Sequence, residues 1–324
     1  MSSNSDIAAL GGHTMGTSWS VKLVAARSRD LHPLHAGIQA ELDRVVAQMS
    51  TWEADSDINR YNRAAAGTWH ALPDDFWNVL STARDIAERS NGAFDPTIGP
   101  LVALWGFGAD AAAQAVPDSA QLAEVAARCQ WQKLQLDPQT QSALQPGGLQ
   151  LDLSAIAKGY GVDLVSRWLQ RAGVAAALVE VGGELHGYGL KPDGQPWRVL
   201  VESAPEEDAG ADYPPRVLAL DDLAVATSGD RWHHFERDGV SYSHTLDPRS
   251  HAPVSRAAAA VSVIARDAMH ADAWATALTV MGADEGLAFA NHHDLAARFI
   301  TRTSTGLIET MSPAFQRYLD ASAQ

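Results

Sequence analysis

The segment GGLQLDLSAIAKGYGVDLVSRWLQRAG, residues 147–173, constrains the fold more than any other, because it reads as strand, loop and helix in direct succession. Residues 150–153 alternate as a short strand, Ser154 stands where an N-cap belongs, and the helix runs to Ala172-Gly173. A helix N-terminus presents unpaired N–H groups and a partial positive charge, which together suit a phosphate. Lys158 lies one turn into that helix and adds a full charge, while Asp152 is an acceptor for a ribose or a flavin-like ring. The spacing is neither a Walker loop nor the three-glycine dinucleotide fingerprint. Taken alone, the segment is as well explained by an ordinary capped helix as by a phosphate site.

Charge sharpens the question. Lys plus Arg number 24 against 39 Asp plus Glu, a net charge of -15. Such a surface repels a phosphate backbone, which argues against nucleic-acid or anionic-membrane binding. An anionic substrate must then be met locally, by a helix N-terminus, a lysine or a cation. The single cysteine, Cys129, reads as a small buried residue. No stretch approaches the length of an apolar membrane span. The opening MSSNSDIAALGGHTMGTSWSV lacks a basic region, an apolar core and a cysteine for lipid attachment. A cytoplasmic location is therefore expected, the alternative being a periplasmic, inner-membrane-associated protein trimmed at its N-terminus.

Elsewhere the patterning predicts strands at residues 17–26, 197–202, 217–220, 224–227, 259–265 and 295–301. Helices are predicted at 34–49, 76–90, 119–129 and 269–281, the second stopping at Asn91-Gly92. The run AAALVEVGGELHGYG reads as a buried strand broken by Gly182-Gly183, and residues 203–215 as an acidic, proline-containing surface insertion. Helices and strands mix without strict alternation, which favours an α+β fold over a doubly wound sheet. With no convincing linker, a single domain over residues 12–310 is expected, with tails at 1–11 and 311–324.

Three further groupings carry possible chemistry. Asp272 and Thr276, four apart in HADAWATALTVMG, project from one helix face as a carboxylate and a hydroxyl. That pair suits a hard cation completed by water or substrate phosphate, although an acid near a helix start and a core-facing threonine explain it equally well in isolation. Thr227-Ser228-Gly229 forms a small hydroxylated turn fit for phosphate oxygens, and His244, just before Asp247-Pro248, can act as a general base near neutral pH. With 12 histidines in the chain, any one is more often structural, and the pairs His233-His234 and His292-His293 make poor metal clusters. Finally, GAFDPTIGPLVALWGFG and GGHTMGTSW contribute, with Trp52, the side chains Met15, Trp52 and Phe94 that could wall a flat ring; core packing explains each singly.

In their order along the chain, HTMGTSWSV, MSTWEADSDINRYN, NGAFDPTIGPLVALWGFG, LDLSAIAKGYGVDLV, VEVGGELHGYG, AVATSGDR, YSHTLDPRS and DAWATAL resemble the FAD:protein FMN transferase family, the ApbE-like flavin transferases. The resemblance implies an α+β fold of the tunnelling-fold type. It places Met15, Trp52, Ala93, Phe94, Asp95, Asp152, Lys158 and Leu246 where the family contacts FAD. It assigns Asp272 and Thr276 as magnesium-binding side chains and Ala155 as a backbone-carbonyl ligand. Some relatives carry a second acid where this chain has Ala275, so one cation oxygen is missing there. His244 falls on the histidine that activates the acceptor. The implied reaction moves FMN from FAD to a threonine or serine of a protein bearing a Ser/Thr-Gly-Ala-Thr-type motif, releasing AMP; this chain carries no such motif of its own. Two alternatives share the same residues: an FAD pyrophosphatase, and an FAD-binding protein without turnover.

Overall fold

The structure, a computed structural model, describes residues 5–109, 115–201, 216–229, 234–237, 240–254, 258–304 and 306–322. The acidic insertion expected at 203–215 lies outside the described residues. The chain forms two compact units: Met1–Arg44 with Lys158–Gly229 and Ala258–Gln324, and Val45–Ala157 with Asp230–Ala257.

Period-two alternation along the strands builds the first unit. Its eight-stranded sheet runs, in spatial order, Ser5–Thr14, Thr17–Ala26, Ala177–Val181, Glu184–Tyr188, Leu223–Ser228, Ala260–Ala265, Ala296–Thr303 and Gly306–Met311. Every neighbouring pair is antiparallel, and the sheet stays open. Successive side chains point to opposite faces, so Val179 and Val181 enter one apolar layer while Leu178 enters the other. The first layer joins Val21 and Leu23 to Leu34, Ile38 and Leu42 of helix His32–Met49, and to Val162, Val165 and Leu169 of helix Ala157–Arg171. The second joins Val225 and Ile264 to Phe315 of helix Pro313–Ser322 and to the paired strands Trp197–Val201 and Arg216–Leu220. Each fully buried aliphatic chain of this kind contributes roughly 1.5–3 kcal/mol. Regular structure thus begins at Ser5 and ends with a helix at Ser322, reaching into both segments outside 12–310. The mixture of elements is α+β, as expected.

Gly182-Gly183 proves to be a two-residue hairpin turn between Ala177–Val181 and Glu184–Tyr188, with both glycines at positive φ (61° and 106°). What reads as one interrupted strand is therefore two. The helix expected at 269–281 spans Ala268–His292, but Gly282 at φ 77°, ψ 175° interrupts it just past the expected end.

In the second unit, Ser142–Gln145 lies between Thr68–Ala71 and Gln135–Asp137 in a three-stranded sheet. Helix Asp74–Arg89 buries Phe76, Val79, Leu80, Ala83 and Ile86, the stripe its helical spacing dictates. It ends where Asn91 (φ 50°) and Gly92 (φ 77°) turn left-handed, the Gly92 N–H donating to the Ala87 carbonyl at 2.8 Å. Cys129 lies beyond the end of helix Ser119–Ala126, packed with Leu101 and Trp105; burial pushes its thiol up to about 12, so it stays protonated and inert.

The strand expected at 150–153 does not form. Leu151 and Leu153 are buried on either side of Asp152, so the alternation is real, yet no strand pairs with this segment among the described residues. Instead the Leu151 N–H donates to Asn62 Oδ1 (2.7 Å) and the Asp152 N–H to the Pro96 carbonyl (2.9 Å). A side chain and a loop carbonyl satisfy groups that a ladder would otherwise pair. Ser154 does not cap the helix either. Its own N–H donates to Asp152 Oδ1 at 2.8 Å, and the regular helix starts at Ala157, which places Lys158 in its first turn.

Candidate functional site

The first unit brings Lys158 to Asp272, and Ser228 to Thr276 on the helix face that spacing gave Asp272 and Thr276, and adds Glu184, which sequence reasoning did not single out. Helices Ala157–Arg171 and Ala268–His292 meet at a glycine: a Cβ on Gly159 would lie 2.2 Å from the Ala268 carbonyl oxygen and 2.9 Å from Asp272 Cβ. At this approach the Gly159 N–H donates to Asp272 Oδ2 at 3.0 Å, in a carboxylate only 2% exposed. Asp272 Oδ1 lies 3.5 Å from Lys158 Nζ, and Lys158 Nζ lies 3.0 Å from Glu184 Oε1. Glu184 is 4% exposed, and its second oxygen, Oε2, is buried with no hydrogen-bond partner.

Electrostatics follow from this burial. Desolvation alone would lower the Lys158 pKa, but Asp272 and Glu184 outweigh it and hold the ammonium protonated above its ordinary range. Burial pushes the Glu184 carboxyl upward, Asp272 adding to the effect and Lys158 opposing it.

One turn beyond Asp272, Thr276 Oγ1 lies 3.1 Å from Ser228 Oγ at the end of strand Leu223–Ser228. Thr227 Oγ1 instead pairs with Ser262 Oγ at 2.9 Å across the ladder. Gly229 has a steric reason to be glycine, since a Cβ there would lie 2.4 Å from the Ala259 carbonyl oxygen. Met15, at φ 47° in the turn between the first two strands, packs partly buried over Gly161.

The orientation of Asp272 is fixed from the start of its helix. Asp267 accepts the His270 N–H at 2.9 Å, and Asp163 accepts those of Ala268 (2.8 Å) and Met269 (3.0 Å). Burial raises the Asp163 carboxyl from 3.8 to about 7, with Asp267 adding to the shift and the two N–H groups opposing it. Because the folded value lies above the unfolded one, protonation favours the fold. The contribution is complete below about pH 4 and is lost as pH rises through about 7. Thermal melts from pH 4 to 8 should show that decline in the wild type and a flatter profile in Asp163→Asn.

The second unit holds the remaining residues. Ala93, Phe94 and Asp95 are buried (1%, 4% and 7% exposed), and Asp95 Oδ1 accepts the N–H and hydroxyl of Thr97, both at 2.7 Å. Burial raises the Asp95 carboxyl, and the Thr97 bonds work against that. The Asp152–Pro96 bond sets Asp152 beside the same loop. Ala155 is half-buried in the turn before the helix. His244 is also half-buried, its ring 6.5 Å from that of Phe107 in an edge-on arrangement. The Leu246 side chain belongs to the apolar cluster of Leu101, Trp105 and Val125. Trp52 is 70% exposed, far more than a core tryptophan. Core packing accounts for the buried Phe94 and does not account for the exposed Trp52.

Glu184 was legible in one respect: a buried lysine needs a counter-charge, and VEVGGELHGYG carries an acid directly after the hairpin glycines. Gly159 offered no such signal, because only the crossing of two helices makes its missing side chain necessary. Among the described residues, no group of three or more His, Cys, Asp or Glu is disposed to hold a metal, and no helix is long and apolar enough to cross a membrane.

An open antiparallel sheet, with a helix-borne lysine set between two buried carboxylates, defines a mixed α/β protein, and its architecture is shared with solved flavin transferases. The apo flavinyl transferase ApbE of Pseudomonas stutzeri superposes with a TM-score of 0.89 at 38% identity, covering 97% of each chain. The flavin transferase ApbE of Vibrio cholerae gives a TM-score of 0.89 at 34% identity, covering 97% of this chain and 100% of that one. In sequence, the FAD:protein FMN transferase of Vibrio cholerae is 36% identical over 311 residues, 96% of this chain and 92% of its own. The ApbE family profile matches residues 15–299, and the chain belongs to the ApbE family.

Proposed function

We propose that this protein transfers the FMN portion of FAD to a threonine or serine hydroxyl of an acceptor flavoprotein and releases AMP, with Mg2+ as its cation. The observation that carries this reading is the buried Asp272, shared by the Gly159 N–H and Lys158, with the Thr276 hydroxyl one turn away. A carboxylate and a hydroxyl on one helix face are hard oxygen donors, and a site with few protein ligands suits Mg2+, which takes its other oxygens from water and substrate phosphate. Asp272 and Thr276 would hold the ion, with the Ala155 carbonyl as the ligand the family resemblance adds. When bound, Mg2+ supplies charge neutralisation for a diphosphate.

The chain's own groups do the rest. Lys158 binds a phosphate oxygen, and Thr227, Ser228 and Gly229 offer hydroxyls and backbone N–H to others. Met15, Trp52, Ala93, Phe94, Asp95, Asp152 and Leu246 contact FAD. His244 takes the proton from the acceptor hydroxyl. The freed oxygen bonds to the phosphorus on the FMN side, the phosphorus–oxygen bond to AMP breaks, and AMP departs with the electron pair. The acceptor carries a Ser/Thr-Gly-Ala-Thr-type motif.

Incubation with FAD, Mg2+ and a peptide bearing that motif, with and without chelator, tests the reading by mass spectrometry. The expected result is a chelator-sensitive gain of one FMN on the peptide and one AMP in solution. Free FMN beside an unchanged peptide would replace transfer by hydrolysis. FAD that stays bound and whole would leave a binding protein.

A further inference from the structure

We infer that Glu184 is a positioning residue that draws the Lys158 ammonium away from Asp272 and so keeps that carboxylate available to a divalent cation. The inference rests on the cation reading proposed above and goes beyond it by naming what keeps the ligand free. Lys158 Nζ reaches two carboxylates, 3.0 Å from Glu184 Oε1 and 3.5 Å from Asp272 Oδ1. An ammonium and a metal ion compete for one carboxylate oxygen. Without a stronger partner, a part-buried ammonium would close onto the nearest anion, because separating such a pair is costly in a low-dielectric setting. Glu184 is that stronger partner.

Three features fit it to the task. Glu184 is rigidly placed, directly after a two-residue hairpin turn and 4% exposed. Its Oε2 is buried with no partner, so the carboxylate has acceptor capacity left for Lys158. Gly182 leaves the passage for the lysine stem: a Cβ there would sit 3.2 Å from Lys158 Cδ and 3.5 Å from Glu184 Oε2. Ala275 makes the role more consequential, since that fully buried methyl brings no oxygen and Asp272 is the only carboxylate the Ala268–His292 helix offers at this point.

The test is Mn2+ binding to the full chain, followed by electron paramagnetic resonance without FAD, so that no turnover enters the readout. Glu184→Gln should weaken Mn2+ binding about tenfold or more, the size usual for outer partners of metal ligands. Lys158→Met should bind at least as tightly as the wild type. In the double variant the Glu184→Gln effect should vanish, because there is no ammonium left to hold back. A purely structural role would weaken binding equally in both backgrounds and would overturn the inference. Mn2+ binding that is lost in Asp272→Ala yet indifferent to Glu184→Gln would overturn it alone. No Mn2+ binding by the wild type would overturn the cation reading and this inference together.

Discussion

Asp272→Ala is expected to abolish measurable AMP release from FAD, a loss of about a hundredfold to a thousandfold or more, while FAD binding persists. The carboxylate is 2% exposed, holds the Gly159 N–H at 3.0 Å and faces Lys158 at 3.5 Å. Removing it takes away the one acidic ligand proposed for the cation on the Ala268–His292 helix. It also leaves a buried N–H unpaired, which by itself costs about 1–3 kcal/mol. Asp272→Asn separates the two effects, because the amide oxygen can keep the Gly159 bond while the charge is gone. If charge is what matters, Asn will melt close to the wild type yet release AMP as poorly as Ala, by chromatographic assay. Wild-type AMP release in either variant would remove Asp272 from the cation site. FAD binding by flavin fluorescence should survive in both, since the contacts proposed for Met15, Trp52 and the 93–95 loop do not involve this carboxylate.

Gly159→Ala should destabilise the protein by about 1–2 kcal/mol net, although helix propensity alone predicts the opposite sign. Alanine favours a helix interior over glycine by about 1 kcal/mol. Here the added methyl would sit 2.2 Å from the Ala268 carbonyl oxygen and 2.6 Å from its carbon. Both are backbone atoms, so no side-chain rotation relieves the contact and the helices must separate. Overpacking of that kind costs about 1–3 kcal/mol and sometimes more, which outweighs the propensity gain. The separation would also stretch the Gly159–Asp272 bond, so cation affinity should fall along with the melting temperature. Thermal denaturation decides it: a variant melting at or above the wild type would mean that the two helices have room to spare.

Both predictions arise where two stretches distant in sequence meet, and this divides what each level of description can show. Period and spacing were enough to mark Asp272 and Thr276 as sharing a helix face and to stop one helix at Asn91-Gly92. They also set an alternating strand at Thr17–Ala26, because each of these depends on neighbours within a few positions. The same reasoning produced a strand at 150–153, where buried and part-exposed residues do alternate, because alternation records which face is covered and not whether a ladder partner exists. It read Ser154 as a cap, where Asp152 is the acceptor that orders the turn. It took Gly182-Gly183 for an interruption, where the pair is the tight turn that delivers Glu184 to Lys158.

The sequence by itself determined the α+β class and the acidic charge balance, and set Asp272 and Thr276 on one helix face, since these follow from composition and local periodicity. Tertiary structure alone decided that Lys158 sits between Glu184 and Asp272, and that Gly159 must lack a side chain. A charge pair and a close approach are properties of distance in space. Residues 26 positions apart, such as Lys158 and Glu184, or 113 apart, such as Gly159 and Asp272, come within 3.0 Å only when the sheet and its two helices have packed.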